Sequence, residues 1–332
     1  MSRVTILGAG AWGTALAISL ARRGGHHICL WSHSPSLAEE LNETGENLTY
    51  LPGFILPADI RVTSDLIAAI FEADFLLCVM PSQHLRGILS QISPLLTKKQ
   101  VILSASKGIE ETTFLRMSQV IASITDNPCA VLSGPSFAQE VAAGSPTAIV
   151  AASNDIHLAQ IIQREFSSST FRIYTNDDVV GVELGGALKN VIALASGVVR
   201  GLNLGHNSSA ALITRGIAEI TRLSVACGGR RQTLAGLSGI GDLVLTCTGE
   251  LSRNRAVGIE LGRGRPLDQI LSSMGGKIAE GVRSTTAALG LAARYEVEMP
   301  ITAQVDAILH RGRQPSDAMR DLMSRPSRDE QS

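Results

Sequence analysis

The sequence predicts an α/β N-terminal domain over residues 1–180, a Rossmann-like doubly wound sheet built by parallel crossovers. It is followed by an all-α domain over 181–325 and a polar, fraying tail at 326–332. Three observations predict this. Short apolar runs alternate with helix-forming segments through the first half, a pattern that implies right-handed parallel crossovers. From residue 180 the strand-like alternation stops, and residues 182–199 (VELGGALKNVIALASGVV) have the length and continuity of a buried helix. Finally, 332 residues at 45% hydrophobic and 18% charged exceed one comfortable core while supplying ample material for two.

The elements follow in order. Residues 4–7 (VTIL) read as a fully buried strand and run straight into Gly8-x-Gly10-x-x-Gly13, with helix-forming residues at 14–23. Each glycine has a physical task. Gly8 permits a tight turn, Gly10 lets the backbone approach a pyrophosphate, and Gly13 lets the helix pack close to the strand. The helix start offers unpaired N–H groups to the anion. A glycine turn alone is weak evidence; a strand before it and a helix after it make it a Rossmann-like dinucleotide site.

Residues 26–31 (HHICLW) read as the second strand. A carboxylate that would bond the ribose 2′-hydroxyl is expected about 20 residues beyond the glycines. Trp31-Ser32-His33-Ser34 stands there instead, so a 2′-phosphate is tolerated and NADP is allowed alongside NAD. Residues 36–43 read as helix, 47–60 as irregular loop, 60–62 as a short strand and 65–72 as helix. Buried strands follow at 75–80, 101–105 and 129–132, with helices at 84–96 and 112–124 between them, and further strands at 146–152 and 170–174. The turns Pro81-Ser82-Gln83, Ser106-Lys107-Gly108 and Ser133-Gly134-Pro135-Ser136 all fall at strand C-termini, where open α/β sheets bind ligands. Beyond residue 180, helices succeed one another with breaks at glycines and at Pro300.

Composition narrows the classes. A net charge of −1 argues against nucleic acid or a membrane surface as partner. The five cysteines are scattered in apolar runs and read as reduced residues of a cytoplasmic protein. Neither they nor the seven histidines have metal-ligand spacing. No signal segment is expected, and no apolar run is read as reaching the roughly 20 residues of a membrane span.

Several residues carry chemistry. Lys189 lies inside the apolar 182–199 stretch beside Gly185, Gly186, Ala187 and Asn190. A buried lysine is costly unless it is paired or its pKa falls, and one so tuned is a good proton donor or acceptor. The plain alternative is that it snorkels to the surface. Asp242, in Ser238-Gly239-Ile240-Gly241-Asp242, is either a helix cap or a partner that orients Lys189. Ser252-Arg253-Asn254-Arg255 is the strongest anion site of the second half: Ser252 caps a helix start, Arg253 offers a planar fork and Asn254 a further donor. Lys107 adds a cation at the sheet crevice.

These residues resemble the bacterial NAD(P)-dependent glycerol-3-phosphate dehydrogenases. The matching stretches are GAGAWGTALA (8–17), LWSH (30–33), SKG (106–108), SGPSFAQEVAAGSPTA (133–148), GVELGGALKN (181–190), LITRG (212–216), GIGDLVLTCT (239–248), SRNR (252–255), AEG (279–281) and VEMPI (297–301), in order over nearly the whole chain. The resemblance implies a C-terminal domain like that of 6-phosphogluconate dehydrogenase. It implies that the proton-transfer lysine is Lys189, and that substrate is held by Lys107, Gly134, Ser136, Lys189, Asp242, Ser252, Arg253 and Asn254. For the coenzyme it implies Ala11, Trp12, His33, Lys107, Ala138, Arg253, Ile278 and Glu280 beside Gly8, Gly10 and Gly13. Some members carry arginine where this chain has His33. The implied activity is reduction of dihydroxyacetone phosphate to sn-glycerol 3-phosphate for glycerophospholipid synthesis; a homodimer is compatible with it.

Two rivals stand beside it. Another two-domain dehydrogenase, such as a ketopantoate reductase or a hydroxyacid dehydrogenase, leaves SRNR with a lone carboxylate where a phosphate suits it better. A regulator that binds NAD(P) without turnover gives no reason for a lysine within 182–199.

Overall fold

The computed structural model describes residues 1–274, 279–327 and 329. The first domain runs β1 (Ser2–Leu7), α1 (Ala11–Arg23), β2 (His26–Trp31), α2 (Pro35–Thr44), β3 (Glu46–Asn47), β4 (Leu51–Ile55), β5 (Arg61–Thr63), α3 (Leu66–Ile70), β6 (Phe75–Cys78), α4 (Leu85–Ile92), β7 (Val101–Ser104), α5 (Met117–Ala122), β8 (Cys129–Ser133), α6 (Ala138–Ala143), β9 (Thr147–Ala152), α7 (Ile156–Phe166) and β10 (Phe171–Asn176). The second is helical: α8 (Val179–Gly201), α9 (His206–Ala226), α10 (Arg231–Leu234), α11 (Asp242–Thr248), α12 (Arg253–Gly262), α13 (Leu267–Ser273), α14 (Glu280–Arg294), α15 (Pro300–His310) and α16 (Pro315–Met323). Of the expected tail, only residues 326, 327 and 329 are described, and none is in a helix or strand.

Eight strands form one sheet in the order β10-β9-β8-β7-β6-β1-β2-β5. Val4, Ile6, Leu30, Leu77 and Leu103 pack on one face of it, and Leu7, Leu76, Cys78 and Ile102 on the other. Burial on both faces explains why these strands are continuous apolar runs. The chain leaves β1 towards β2 on one side and returns to β6 on the other, so the crevice between β1 and β6 is the topological switch point.

The structure corrects several expectations. β8 and β9 pair antiparallel, so β9 and its parallel partner β10 run against the other six strands. Strand direction leaves no mark on apolar periodicity. The loop expected at 47–60 holds β4 of the β3–β4 hairpin, a strand that includes Pro52 and Gly53. The helix expected at 112–124 is cut to Met117–Ala122 by a turn in which Phe114 has φ +59°. The one at 84–96 keeps only Leu85–Ile92 as α-helix, flanked by single 3-10 turns. The 65–72 helix is Leu66–Ile70 capped by Asp65. Finally, α8 is long and apolar enough to cross a membrane by composition, with mean hydropathy 1.4, but 94% of that stretch is buried within the protein.

α8 is the spine of the second domain. Gly197 and Gly201 meet Gly258 and Gly262 of α12 so closely that a Cβ on any of them would strike the facing helix backbone. The two helices therefore cross in backbone contact, which fixes the start of α12 relative to the middle of α8.

Candidate active site

The glycine turn after β1 is built for close approach. Gly8 has φ +125°, and a Cβ there would sit 2.7 Å from Val79 O beyond β6. A Cβ on Gly13 would run into Gly8 O, whereas the space in front of Gly10 is open to 4 Å. Gly10 is the N-cap of α1 and has no side chain to cap it, so the first N–H groups of the helix stay available. The helix begins at Ala11, three residues earlier than expected, which puts Ala11 and Trp12 in that first turn. From the hairpin Asn47 props the turn, its Nδ2 donating to Ala9 O (2.9 Å) and to Thr14 Oγ1 (2.8 Å). Sequence reasoning missed Asn47 because it stood in an apparent loop.

No carboxylate follows β2. Ser32 Oγ donates to Ser34 O, Ser34 caps α2, and exposed His33 stands edge-on to Trp31 with ring centroids 6.0 Å apart. Ala138 opens α6, which packs along α1. An open glycine cradle, a free helix start and no acid opposite the 2′ position fit a nicotinamide dinucleotide of either kind.

Across the crevice the two domains meet in a charged cluster. Lys189 is buried near the middle of α8 and pairs with Asp242 Oδ1. Lys107, from the turn after β7, donates to Asp242 Oδ2 at 2.8 Å and to Gly134 O at 3.0 Å. Asp242 is wholly buried at the first position of α11, where a carboxylate also complements the helix dipole. One carboxylate thus bridges two ammonium groups. Burial, helped by the neighbouring Lys107 charge, pulls the Lys189 pKa down to about 8, although Asp242 pulls the other way. Gly186 permits this junction, since a Cβ there would strike Ser133 Oγ and lie 3.7 Å from Lys107 Cδ. The neighbouring turn is set by Gly134, at φ +139°, whose O also accepts from Ser136 Oγ at 3.0 Å.

The SRNR motif divides. Ser252 caps α12 by accepting from Arg255 N at 3.2 Å, as expected. Asn254 is buried; its Nδ2 donates to Asn190 Oδ1 (3.0 Å) and its Oδ1 accepts from Gly281 N (2.9 Å). It ties the starts of α12 and α14 to α8, a structural duty that the motif did not reveal. Arg253 is exposed, with no hydrogen-bond or ion-pair partner among the described residues. Glu280, half-buried at the start of α14, is pushed up to about 6 by burial, against the pull of Arg253, Lys107 and Lys189. Arg255 lines a separate cavity. Ile278 lies outside the described residues. Among the described residues no group of histidines, cysteines and carboxylates could hold a metal.

Chemically, the junction offers an ammonium group of lowered pKa, a second cation held on the same carboxylate and, at the start of α12, a guanidinium with no partner among the described residues. Comparison with known proteins shows the family. A family described as NAD-dependent glycerol-3-phosphate dehydrogenase N-terminus matches residues 3–159, and its C-terminus counterpart matches residues 178–320. The chain is 60% identical to "Glycerol-3-phosphate dehydrogenase [NAD(P)+]" of Acidobacterium capsulatum, over 99% of this chain and 100% of that one. It is 57% identical to the protein of the same name from Koribacter versatilis, over 98% of each. The crystal structure of glycerol-3-phosphate dehydrogenase from Coxiella burnetii superposes with a TM-score of 0.94 at 40% identity, covering 98% of this chain and 99% of that one.

Proposed function

This chain belongs to the NAD-dependent glycerol-3-phosphate dehydrogenase family, NAD(P)-dependent oxidoreductases acting on a CH–OH group, and from that premise we propose that it reduces dihydroxyacetone phosphate to sn-glycerol 3-phosphate. The observation that carries the reading is Lys189, a buried lysine with a pKa near 8 at the junction of the two domains. A nicotinamide coenzyme, when bound on the glycine turn, supplies the hydride to C2 of the substrate. The C2 oxygen gains negative charge as its carbonyl bond is reduced, and the Lys189 ammonium gives it a proton; in the reverse direction neutral Lys189 takes that proton back. Lys107, held by Asp242 and Gly134 O, polarises the carbonyl from the sheet side. Arg253 and the first turn of α12 hold the phosphate. The product serves as the glycerol backbone of glycerophospholipids.

The direct test follows NADH and NADPH oxidation spectrophotometrically with dihydroxyacetone phosphate, and with ketopantoate as the comparison substrate. Turnover with the first and not the second is expected. No oxidation with dihydroxyacetone phosphate overturns the reading.

A further inference from the structure

A second cavity lies on the helical domain, away from the dinucleotide cradle. It measures about 380 Å³ and is lined by, among others, Ser196 and Arg200 of α8, Gly205 and His206 at the start of α9, Cys247 at the end of α11, and Arg255 of α12. A volume of that order suits a small ligand rather than a single water.

Helical spacing places the cavity relative to the catalytic cluster. Ser196 and Arg200 follow Lys189 by seven and eleven residues, so they share its face of α8, about 10 and 16 Å further along at 1.5 Å per residue. Ser196 Oγ on α8 donates to Cys247 O of α11 at 2.9 Å.

The lining is cationic without compensation. Neither Arg200 nor Arg255 has a hydrogen-bond or ion-pair partner among the described residues, in a chain where many exposed arginines have a carboxylate. Two unpaired guanidinium groups on one cavity wall repel each other and favour a dianion that both can bridge. Gly205, the N-cap of the 21-residue α9, has no side chain to satisfy the first N–H groups, which adds donors at the same rim.

We propose that this cavity is a second anion site, which binds a small phosphate ester through Arg200 and Arg255 and is distinct from the catalytic cleft. It lies against α8, α11 and α12, the three helices that carry Lys189, Asp242 and Arg253.

The test is calorimetric titration of the full chain with inorganic pyrophosphate. Wild-type protein is expected to show two classes of site. Arg200→Gln with Arg255→Gln removes one class, weakening it about tenfold or more for the lost charge-assisted bonds, while Arg253→Ala removes the other. Without pyrophosphate, Arg200→Gln alone keeps kcat/KM within about twofold of wild type, since Arg200 lies on α8 outside the phosphate-holding first turn of α12 and touches no reacting group. If the double variant fails to fold, Arg200→Lys with Arg255→Lys replaces it and is expected to weaken the same class by loss of the planar fork. A single class of site abolished by Arg253→Ala alone overturns the proposal. So does binding that neither arginine pair affects. A dimer that dissociates in the double variant, with no second class of anion site in wild type, overturns it in favour of a subunit interface.

Discussion

At the scale of the residue, the question is what Asp242 and Lys189 do to each other. A lysine whose folded pKa is about 8, against 10.5 in the unfolded chain, binds its proton less tightly when folded. The cost, of the order of a few kcal/mol, is fully present below pH 8 and is relieved as pH rises from 8 towards 10.5. Lys189→Met removes that cost while Asp242 keeps Lys107, so the melting midpoint at pH 7 rises above that of wild type. Turnover falls by about 10²–10⁴, the usual contribution of a placed general acid. In wild type, carbonyl reduction needs the ammonium and declines above pH 8, whereas alcohol oxidation needs the amine and rises through the same range. Paired pH–rate profiles in the two directions check this; parallel profiles sink the proton role. Asp242→Asn acts oppositely on stability. It leaves two ammonium groups without their shared anion and costs about 3–5 kcal/mol, measured by denaturant unfolding. Because the Asp242 charge holds the Lys189 pKa up, its loss also moves the limb of the pH profile below 8. An unmoved limb shows that the carboxylate does not set the pKa.

At the scale of the element, positions were legible where one physical cause dominated. The buried strands read correctly because both faces of the sheet are covered, and Ser252 read correctly as a cap because its hydroxyl and the helix after it sit in one short stretch. Lys189 was legible because a charge inside 182–199 violates burial rules unless something compensates, and Asp242 supplies that compensation from 53 residues away. What escaped was non-local. Asn47 matters only through its contact with Ala9 and Thr14, and Asn254 through Asn190 and Gly281, distant partners that no local spacing reveals. The α8–α12 crossing escaped for the same reason, since its four glycines look like helix-weakening residues until the facing backbone is known. Gly258→Ala would ordinarily gain up to about 1 kcal/mol of helix propensity. Here the new Cβ meets Leu194 O, so the helices must part, and a loss of about 1–3 kcal/mol is expected instead. Because the start of α12 moves with it, KM for the phosphorylated substrate rises more than kcat falls. Thermal melts and steady-state kinetics together check this, and a stabilised variant shows that the crossing is loose.

At the scale of the whole molecule, the site exists only while two separately built domains stay in register, because Lys107 and Lys189 come from opposite sides of the junction. Asp242 makes one bond across it. Another shielded bond across it is made by Glu183, six residues before Lys189 on the same helix. Its carboxylate accepts from Arg116 and, at 2.7 and 2.6 Å, from Ser118 N and Oγ. A residue of the helical domain thus supplies the capping acceptor for α5 of the sheet domain, where no local side chain offers a carboxylate to Ser118 N. Both Glu183 and Arg116 are largely shielded from water, so the pair is little screened by salt. Glu183→Ala leaves the guanidinium and the α5 start unsatisfied at about 3–5 kcal/mol, which for a chain of this size is roughly 4–7 °C in melting midpoint. The same change loosens the junction, so turnover falls although Glu183 touches no substrate. A double-mutant cycle with Arg116→Ala separates the two effects. If the junction is held as described, the second substitution adds little stability loss to the first, and both single variants lose turnover alike. Additive losses, or full turnover in Glu183→Ala, show that the domains keep their register without this bond.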